Sequence, residues 1–210
     1  MAENQKSKKT QISDHIACLQ EPYYKGDVPG NIPQTYQTYY SNKEPKPRAT
    51  IQVSKPFCEG VMFHENFSNR DTCTISIKDP NDPNKRTFIS SVYMHDSEDI
   101  DKHFVNEVLK MTAIKKMGLI ICADTNAHST IWGNNENNQR GDKLENLIID
   151  HNLEIVNTVF TPTWSRGDYS STIDLTMINI FAPKIKSWEI LTGTSESDHE
   201  IIQFVIDSNL

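Results

Sequence analysis

No apolar run in this 210-residue chain approaches the ~20 residues that a membrane-spanning helix needs. The longest, Leu119-Ile120-Ile121-Cys122-Ala123, has the length of a buried strand. The N-terminal residues are polar and lysine-rich, so no secretory signal is expected. Cysteine is scarce and scattered: Cys18, Cys58, Cys73 and Cys122 form no CxxC pair. That spacing argues against a zinc site or a disulfide framework and for reduced thiols inside a cell. A basic surplus is also missing, with 21 Lys+Arg against 28 Asp+Glu and a net charge of −7. Such a balance disfavours a protein that grips nucleic acid through a strongly basic surface. What remains is a polar chain, of mean hydropathy −0.58, whose length suits one domain over residues 1–210 with a sizeable core.

The acid is unevenly spread. Residues 121–210 hold five basic side chains (Arg140, Lys143, Arg166, Lys184, Lys186) against thirteen acidic ones, a local balance of −8. A surplus of this kind is usually a solvated face, but it is also how a chain gathers carboxylates around a divalent cation. Gly26, Pro29, Gly30, Pro33, Pro45 and Pro47 interrupt residues 25–48, which read as a long surface loop anchored by Tyr36, Tyr39 and Tyr40. Around it, strands are expected at residues 16–19, 72–77, 87–93, 119–123, 155–156, 173–178, 185–191 and 201–206. In the second of these Cys73, Ile75 and Ile77 alternate with Thr72, Thr74 and Ser76, the pattern of a half-buried strand. Ile100, Phe104, Val108 and Met111 predict a helix capped by Asp96 or Ser97. A second helix from about Asp142 buries Leu144, Leu147 and Ile148 and closes at a left-handed Asn152. Many strands with few helices imply a layered α/β or α+β fold, too irregular in order for a Rossmann sheet.

Several polar residues end apolar strands: Glu21 after residues 16–20, Asp124 and Asn126 after residues 119–123, and Asp198 and His199 before residues 201–206. Asp174 lies inside an apolar run, where a lone carboxylate costs several kcal/mol unless it is paired or metal-bound. Each has a structural alternative. Glu21 can be a plain strand-end charge, Asp124-Thr125-Asn126 an Asx-turn, and Asp174 and His199 structural partners. Together they also form a set suited to phosphodiester hydrolysis, which needs an activated water and stabilisation of charge on the phosphoryl oxygens and the leaving group. Glu21 and Asp198 suit a hard cation such as Mg²⁺. His199 held by Asp174 would be fixed in one tautomer and stabilised as the imidazolium. Asp124 would orient or deprotonate the water, and Asn126 would donate to the phosphate.

Gln20-Glu21-Pro22-Tyr23, Ala123-Asp124-Thr125-Asn126-Ala127-His128, Ser171-Thr172-Ile173-Asp174-Leu175-Thr176 and Ser197-Asp198-His199 resemble the endonuclease/exonuclease/phosphatase superfamily. Trp132-Gly133, Arg140-Gly141 and Thr161-Pro162-Thr163-Trp164 extend the resemblance to the apurinic-type endonuclease domain of non-LTR retrotransposons, in the expected order over nearly the whole chain. The resemblance implies an α/β, deoxyribonuclease-I-like fold: a two-sheet β-sandwich flanked by helices in four layers. It implies nicking of DNA with Mg²⁺ or Mn²⁺, a reverse transcriptase domain of the same element as partner, no membrane, and an intracellular, nuclear setting. It adds Tyr93 as a phosphate-contacting or site-shaping residue and Asn4 near the metal.

Departures from the family pattern carry their own expectations. Only Met1-Ala2-Glu3 precede Asn4, so the first strand would be truncated or absent, and the chain ends soon after Ser197-Asp198-His199, as a stand-alone or truncated endonuclease unit would. Met94-His95-Asp96 stand where relatives place Pro and often Asn, and Thr125 stands where an aromatic is usual. Lys6, Lys8, Lys9 and Arg48 would supply phosphate contacts. Two other readings stay open at this point: the same centre acting on a small phosphorylated substrate, and a non-catalytic retrotransposon remnant.

Overall fold

Strand after strand alternates residues that belong to two different cores, and this alternation fixes the layers. The computed structural model describes residues 16–30, 32–79, 82, 84–100 and 105–207. The strands begin with β1 (Ile16–Gln20), β2 (Tyr24–Lys25), β3 (Val28–Pro29), β4 (Tyr36–Tyr39), β5 (Ala49–Ser54), β6 (Met62–Phe63), β7 (Thr72–Lys78) and β8 (Arg86–Tyr93). Helix α1 (Val105–Lys115), β9 (Gly118–Asp124), helix α2 (Gln139–Asp150) and β10 (Leu153–Ile155) follow. The chain continues through β11 (Trp164–Arg166), β12 (Tyr169–Ser171), β13 (Asp174–Asn179), β14 (Ile185–Leu191) and β15 (Ile201–Ile206).

The central sheet has six strands in the order β10-β13-β9-β8-β7-β6. In β9, Leu119, Ile121 and Ala123 enter one core and Ile120 the other; in β8, Phe88 and Val92 part from Ile89 in the same way. The first core lies under the helices, with Val105, Val108 and Leu109 of α1, Leu144 and Leu147 of α2, and the fully buried Trp132. The second lies against the three-stranded sheet β1-β5-β4, through Ala49, Ile51 and Val53, with Phe204 and Ile206 of the β14-β15 ribbon packed at its side. Each large side chain placed so is worth ~1.5–3 kcal/mol of burial. Among the described residues, both α-helices pack on the six-stranded sheet, and no helix is long and apolar enough to cross a membrane.

Three expectations need correction. β7 is buried on both faces: Thr72, Thr74 and Ser76 are as enclosed as Cys73 and Ile75. Hydrogen bonding makes this tolerable for two of the three, since Thr74 Oγ1 donates to Phe67 O (3.0 Å) and pairs with Ser90 Oγ, and Ser76 Oγ meets Arg86 Nε (2.7 Å), while Thr72 Oγ1 has no partner among the described residues. The tyrosines of the irregular stretch do more than anchor a loop, because Tyr36–Tyr39 pair antiparallel with β5 as an edge strand. Before α1, Ser97 Oγ meets His95 Nδ1 (2.8 Å), and the residues that the expected cap would serve, 101–104, lie outside the described residues. Helix α2 starts three residues earlier than expected, at Gln139, because the Asn138 side chain caps it by accepting from Gly141 N (2.7 Å). It ends as expected, with Asn152 left-handed at φ 48°.

Gly141 shows why this cap is close-packed. A Cβ there would fall 1.8 Å from His128 O. Alanine raises helix propensity by ~1 kcal/mol over glycine, but a clash against main chain cannot be relieved by a side-chain rotation. Gly141→Ala should therefore destabilise the protein, by about 3 kcal/mol or more, and a urea denaturation midpoint that rises instead would show that propensity prevails.

Candidate active site

Strand register performs the first step of assembly. Antiparallel pairing sets Asp174 opposite Asp124, and parallel pairing sets Tyr93 beside Asp124. The three stand in a row across adjacent strands at one end of the central sheet. Since Ala123, Val92 and Leu175 belong to the helix-side core, alternation turns the neighbouring Asp124, Tyr93 and Asp174 toward the other sheet.

Strand β1 brings Glu21 to that end. Gln20 Nε2 donates to Ser91 Oγ (2.9 Å) and to Cys122 O (3.0 Å), joining the end of β1 to β8 and β9. Glu21 then turns with φ 47° and its amide donates to Arg48 O (2.8 Å). A left-handed glutamate costs on the order of 1–3 kcal/mol, and such strain collects at functional sites.

His199 arrives from the far end of the chain. A bridge between Trp164 and His199 draws in the segment before β15, and Glu200 N donates to Thr163 O (2.8 Å). The His199 ring then meets Asp174 Oδ2 through Nδ1 at 2.9 Å, with Nε2 3.9 Å from Asp124 Oδ2. Donation from Nδ1–H to the carboxylate fixes the tautomer and leaves Nε2 facing Asp124. Thr163 Oγ1 accepts from Ile173 N (3.1 Å) and Asp174 N (3.0 Å), which settles the main chain that presents Asp174.

The charges of this cluster are interdependent. Asp124 is 4% exposed. Burial first, and then the charge of Asp174, push its carboxyl up to about 7, against a partial opposing pull from His199. Burial disfavours the His199 imidazolium, but the hydrogen bond and charge of Asp174, with Asp124 and Glu21 behind them, hold its pKa above the ordinary histidine value. Tyr93 is raised by burial and then by the charges of Glu21 and Asp124. The Arg48 guanidinium lies 5.0 Å over its ring.

The remaining candidates divide. Asn126 is left-handed at φ 49°, its amide donates to Asp124 Oδ1 (3.3 Å), and its side-chain Nδ2 donates to Met94 O (3.2 Å). The turn reading and the site reading therefore hold together, with the second amide hydrogen available to a ligand. The Asp198 carboxylate stands away from the trio, half exposed and 3.7 Å from Arg166 Nε. Asn4, Lys6, Lys8 and Lys9 lie outside the described residues. Arg48 is not a free phosphate contact: it forms a two-point ion pair with Asp71 (Nη2–Oδ2 2.6 Å) beside Tyr93. Residues that sequence reasoning did not single out for the site are Gln20, Thr163 and the carbonyl-binding Arg140, although each lies in one of the motifs quoted above.

Asp124, Asp174 and His199 offer ligand atoms within 4.8 Å of one another, a group able to hold a metal ion. The donor chemistry fits a hard cation. Oxygen ligands predominate, and the mutual repulsion that raises Asp124 is what a divalent ion would relieve.

Comparison with known proteins agrees with this geometry. A family model described as endonuclease-reverse transcriptase matches residues 87–203, more than half of the chain, with Tyr93, Asp124, Asn126, Asp174 and His199 inside it. The chain belongs to the endonuclease-reverse transcriptase family. Among solved structures, this family member is similar to the endonuclease domain of TRAS1, a telomere-specific non-LTR retrotransposon, at 24% identity and TM-score 0.75, covering 91% of this chain and 85% of that one. The Xenopus laevis APE2 catalytic domain matches at 13% identity and TM-score 0.61, over 93% of this chain and 85% of that one. The human Nocturnin catalytic domain matches at 14% identity and TM-score 0.56, over 90% and 81%. No curated protein sequence matches the chain.

A pH dependence of stability follows for this endonuclease-reverse transcriptase family member. Asp124 has the ordinary carboxyl value of 3.8 when unfolded and is pushed up to about 7 by burial when folded, so between those values the folded state binds the extra proton. His199, with its folded value raised, adds stability that is lost as pH rises through that value. Both act in one direction: in EDTA, the melting temperature should rise as pH falls from about 8 to about 5. Asp124→Asn should flatten most of that slope, and an unchanged slope in the variant would remove Asp124 as its source.

Proposed function

We propose that this chain is a divalent-metal-dependent endonuclease that nicks DNA as the target-cutting unit of a retrotransposon. The single observation that carries the reading is His199 anchored by Asp174 at 2.9 Å with its other nitrogen turned toward a buried Asp124. A structural Asp–His pair would have no need of a second carboxylate, raised by burial, at the free face of the imidazole.

In this reading the phosphodiester enters between Tyr93, Asn126 and His199. Asp124, with a pKa near neutrality, orients the attacking water and accepts its proton. The His199 imidazolium, kept charged by Asp174, offers Nε2–H to a phosphoryl oxygen as negative charge develops there. Asn126 donates its second amide hydrogen to the same group, and Tyr93 shapes the floor of the site. Glu21 and Asp198, with Asn4, would hold Mg²⁺ or Mn²⁺, and the ion would supply neutralisation of phosphate charge. The domain spans residues 1–210, a reverse transcriptase domain of the same element is its partner, and the setting is the nucleus, where the target DNA lies.

The family model supports the nuclease over the reading on small phosphorylated substrates. Full retention of the trio supports an active enzyme over a remnant. The test is supercoiled plasmid with Mg²⁺ and with EDTA. The parent should nick only with the metal, and His199→Ala and Asp124→Ala should each lose about 100-fold or more in rate while keeping the parent's circular dichroism. Nicking by either variant at the parental rate would remove that residue from the chemistry. Glu21→Ala should move the Mg²⁺ titration to higher concentration, and an unmoved titration would take Glu21 out of the ligand set.

A further inference from the structure

Among the described residues, Arg140 ends every one of its hydrogen bonds on a main-chain carbonyl. Nε donates to Thr125 O (3.0 Å), Nη2 to Met94 O (2.8 Å), and Nη1 to Glu98 O and, more distantly, to Asp96 O (3.5 Å). Thr125 lies between Asp124 and Asn126; Met94 directly follows Tyr93. One guanidinium, carried at the start of α2, therefore ties the loop after β9 to the loop after β8. The Met94 carbonyl is shared, since it also accepts from Asn126 Nδ2 (3.2 Å). The same two loops meet once more where Met94 N donates to Asp124 O (2.8 Å).

We propose that Arg140 is a positioning residue for phosphodiester cleavage: it sets the Asp124–Asn126 turn against the Tyr93–Glu98 loop so that the carboxylate, the amide and the phenol face one substrate. This rests on the nuclease reading of the site. A guanidinium is required because its planar fork reaches carbonyls in two loops at once, whereas a lysine ammonium is a single point charge on a flexible stem. Arg140 does not touch substrate in this scheme. Its removal frees the carbonyls of Thr125 and Glu98, lets the Asn126 turn relax, and misplaces groups that must be aligned when the bond breaks.

The expected result for Arg140→Ala is a single-turnover nicking rate lowered about 100-fold, as misplacement of a catalytic group by ~1 Å produces, with DNA affinity measured by fluorescence anisotropy in Ca²⁺ left at the parental value. Ethylguanidinium at millimolar concentration should restore part of the rate to Arg140→Ala, ethylammonium at equal ionic strength should not, and Arg140→Lys should stay impaired. A loss residing in affinity instead of rate would overturn the proposal in favour of a DNA contact, and so would a fully active Arg140→Lys. If Arg140→Ala does not fold, Arg140→Gln, which keeps two amide donors, takes its place with the same expectations. Amide hydrogen exchange decides the matter independently of activity. In the variant, Met94 and Asn126 should exchange faster while residues 119–122 of β9 keep parental protection. Unchanged exchange at Met94 and Asn126 would overturn the clamp whether or not the parent nicks, and a parent that does not nick overturns the nuclease reading alone.

Discussion

Three carboxylates and an imidazole crowd one end of a sheet, and their mutual repulsion is the constraint around which this molecule is arranged. Asp124 is enclosed by protein, with the charge of Asp174 beside it and that of Glu21 farther off. In water such a group would separate; here the β8-β9-β13 ladder does not allow it, because Tyr93, Asp124 and Asp174 are held side by side by continuous backbone pairing. The system has two ways to lower its energy, and the site makes use of both. The Asp174 carboxylate is neutralised by His199, and Asp124 moves toward its protonated form. A cation at the same place would be a third. The groups that make the folded state uncomfortable are those that give it chemical capability, a balance common where function and stability share residues.

Rigid supports hold this arrangement open. Thr163 fixes the main chain at Asp174, Gln20 fixes the approach of Glu21, and two arginines brace the flanks. Arg48 is paired with Asp71 and lies over Tyr93, and Arg140 binds carbonyls of the neighbouring loops. Gln20 joins strand to strand, while the contacts of Thr163, Arg48 and Arg140 each involve a group from a loop, so the loops that carry function are ordered by specific side-chain bonds. The half-buried guanidinium of Arg140 has its pKa lowered by partial burial, yet it remains far too basic to lose its proton, and so provides a permanent cation among carbonyl dipoles.

Much of this was legible in the sequence, for physical reasons that can be named. Asp124, Asp174 and His199 stood out because a polar group at the end of, or inside, an apolar strand must be satisfied by something, and satisfying each other was the economical solution. The strands of the central sheet were legible from their alternation. The supports were less so, because a carbonyl is offered by every residue and an arginine that binds carbonyls leaves no periodic signature. Thr163 is hidden for the same reason, its hydroxyl serving two amides. The edge strand Tyr36–Tyr39 was masked by the prolines and glycines around it. The buried hydroxyl face of β7 was misread because alternation reports polarity, and polarity equals exposure only when hydrogen bonds are not available inside.

Glu21 and Asp124 do not share a sheet. One follows β1, the other ends β9, and the two sheets that carry them pack together through Ile51, Cys73, Ile75, Ile89 and Ile120. The separation of the two acids is therefore set by the thickness of an aliphatic layer, much as the gap between two jaws is set by a spacer. A methyl group added or removed deep in that layer would slide one sheet over the other and be read out at the mouth of the site. Divergence of the inner aliphatic positions would then tune the enzyme without a single change at its surface.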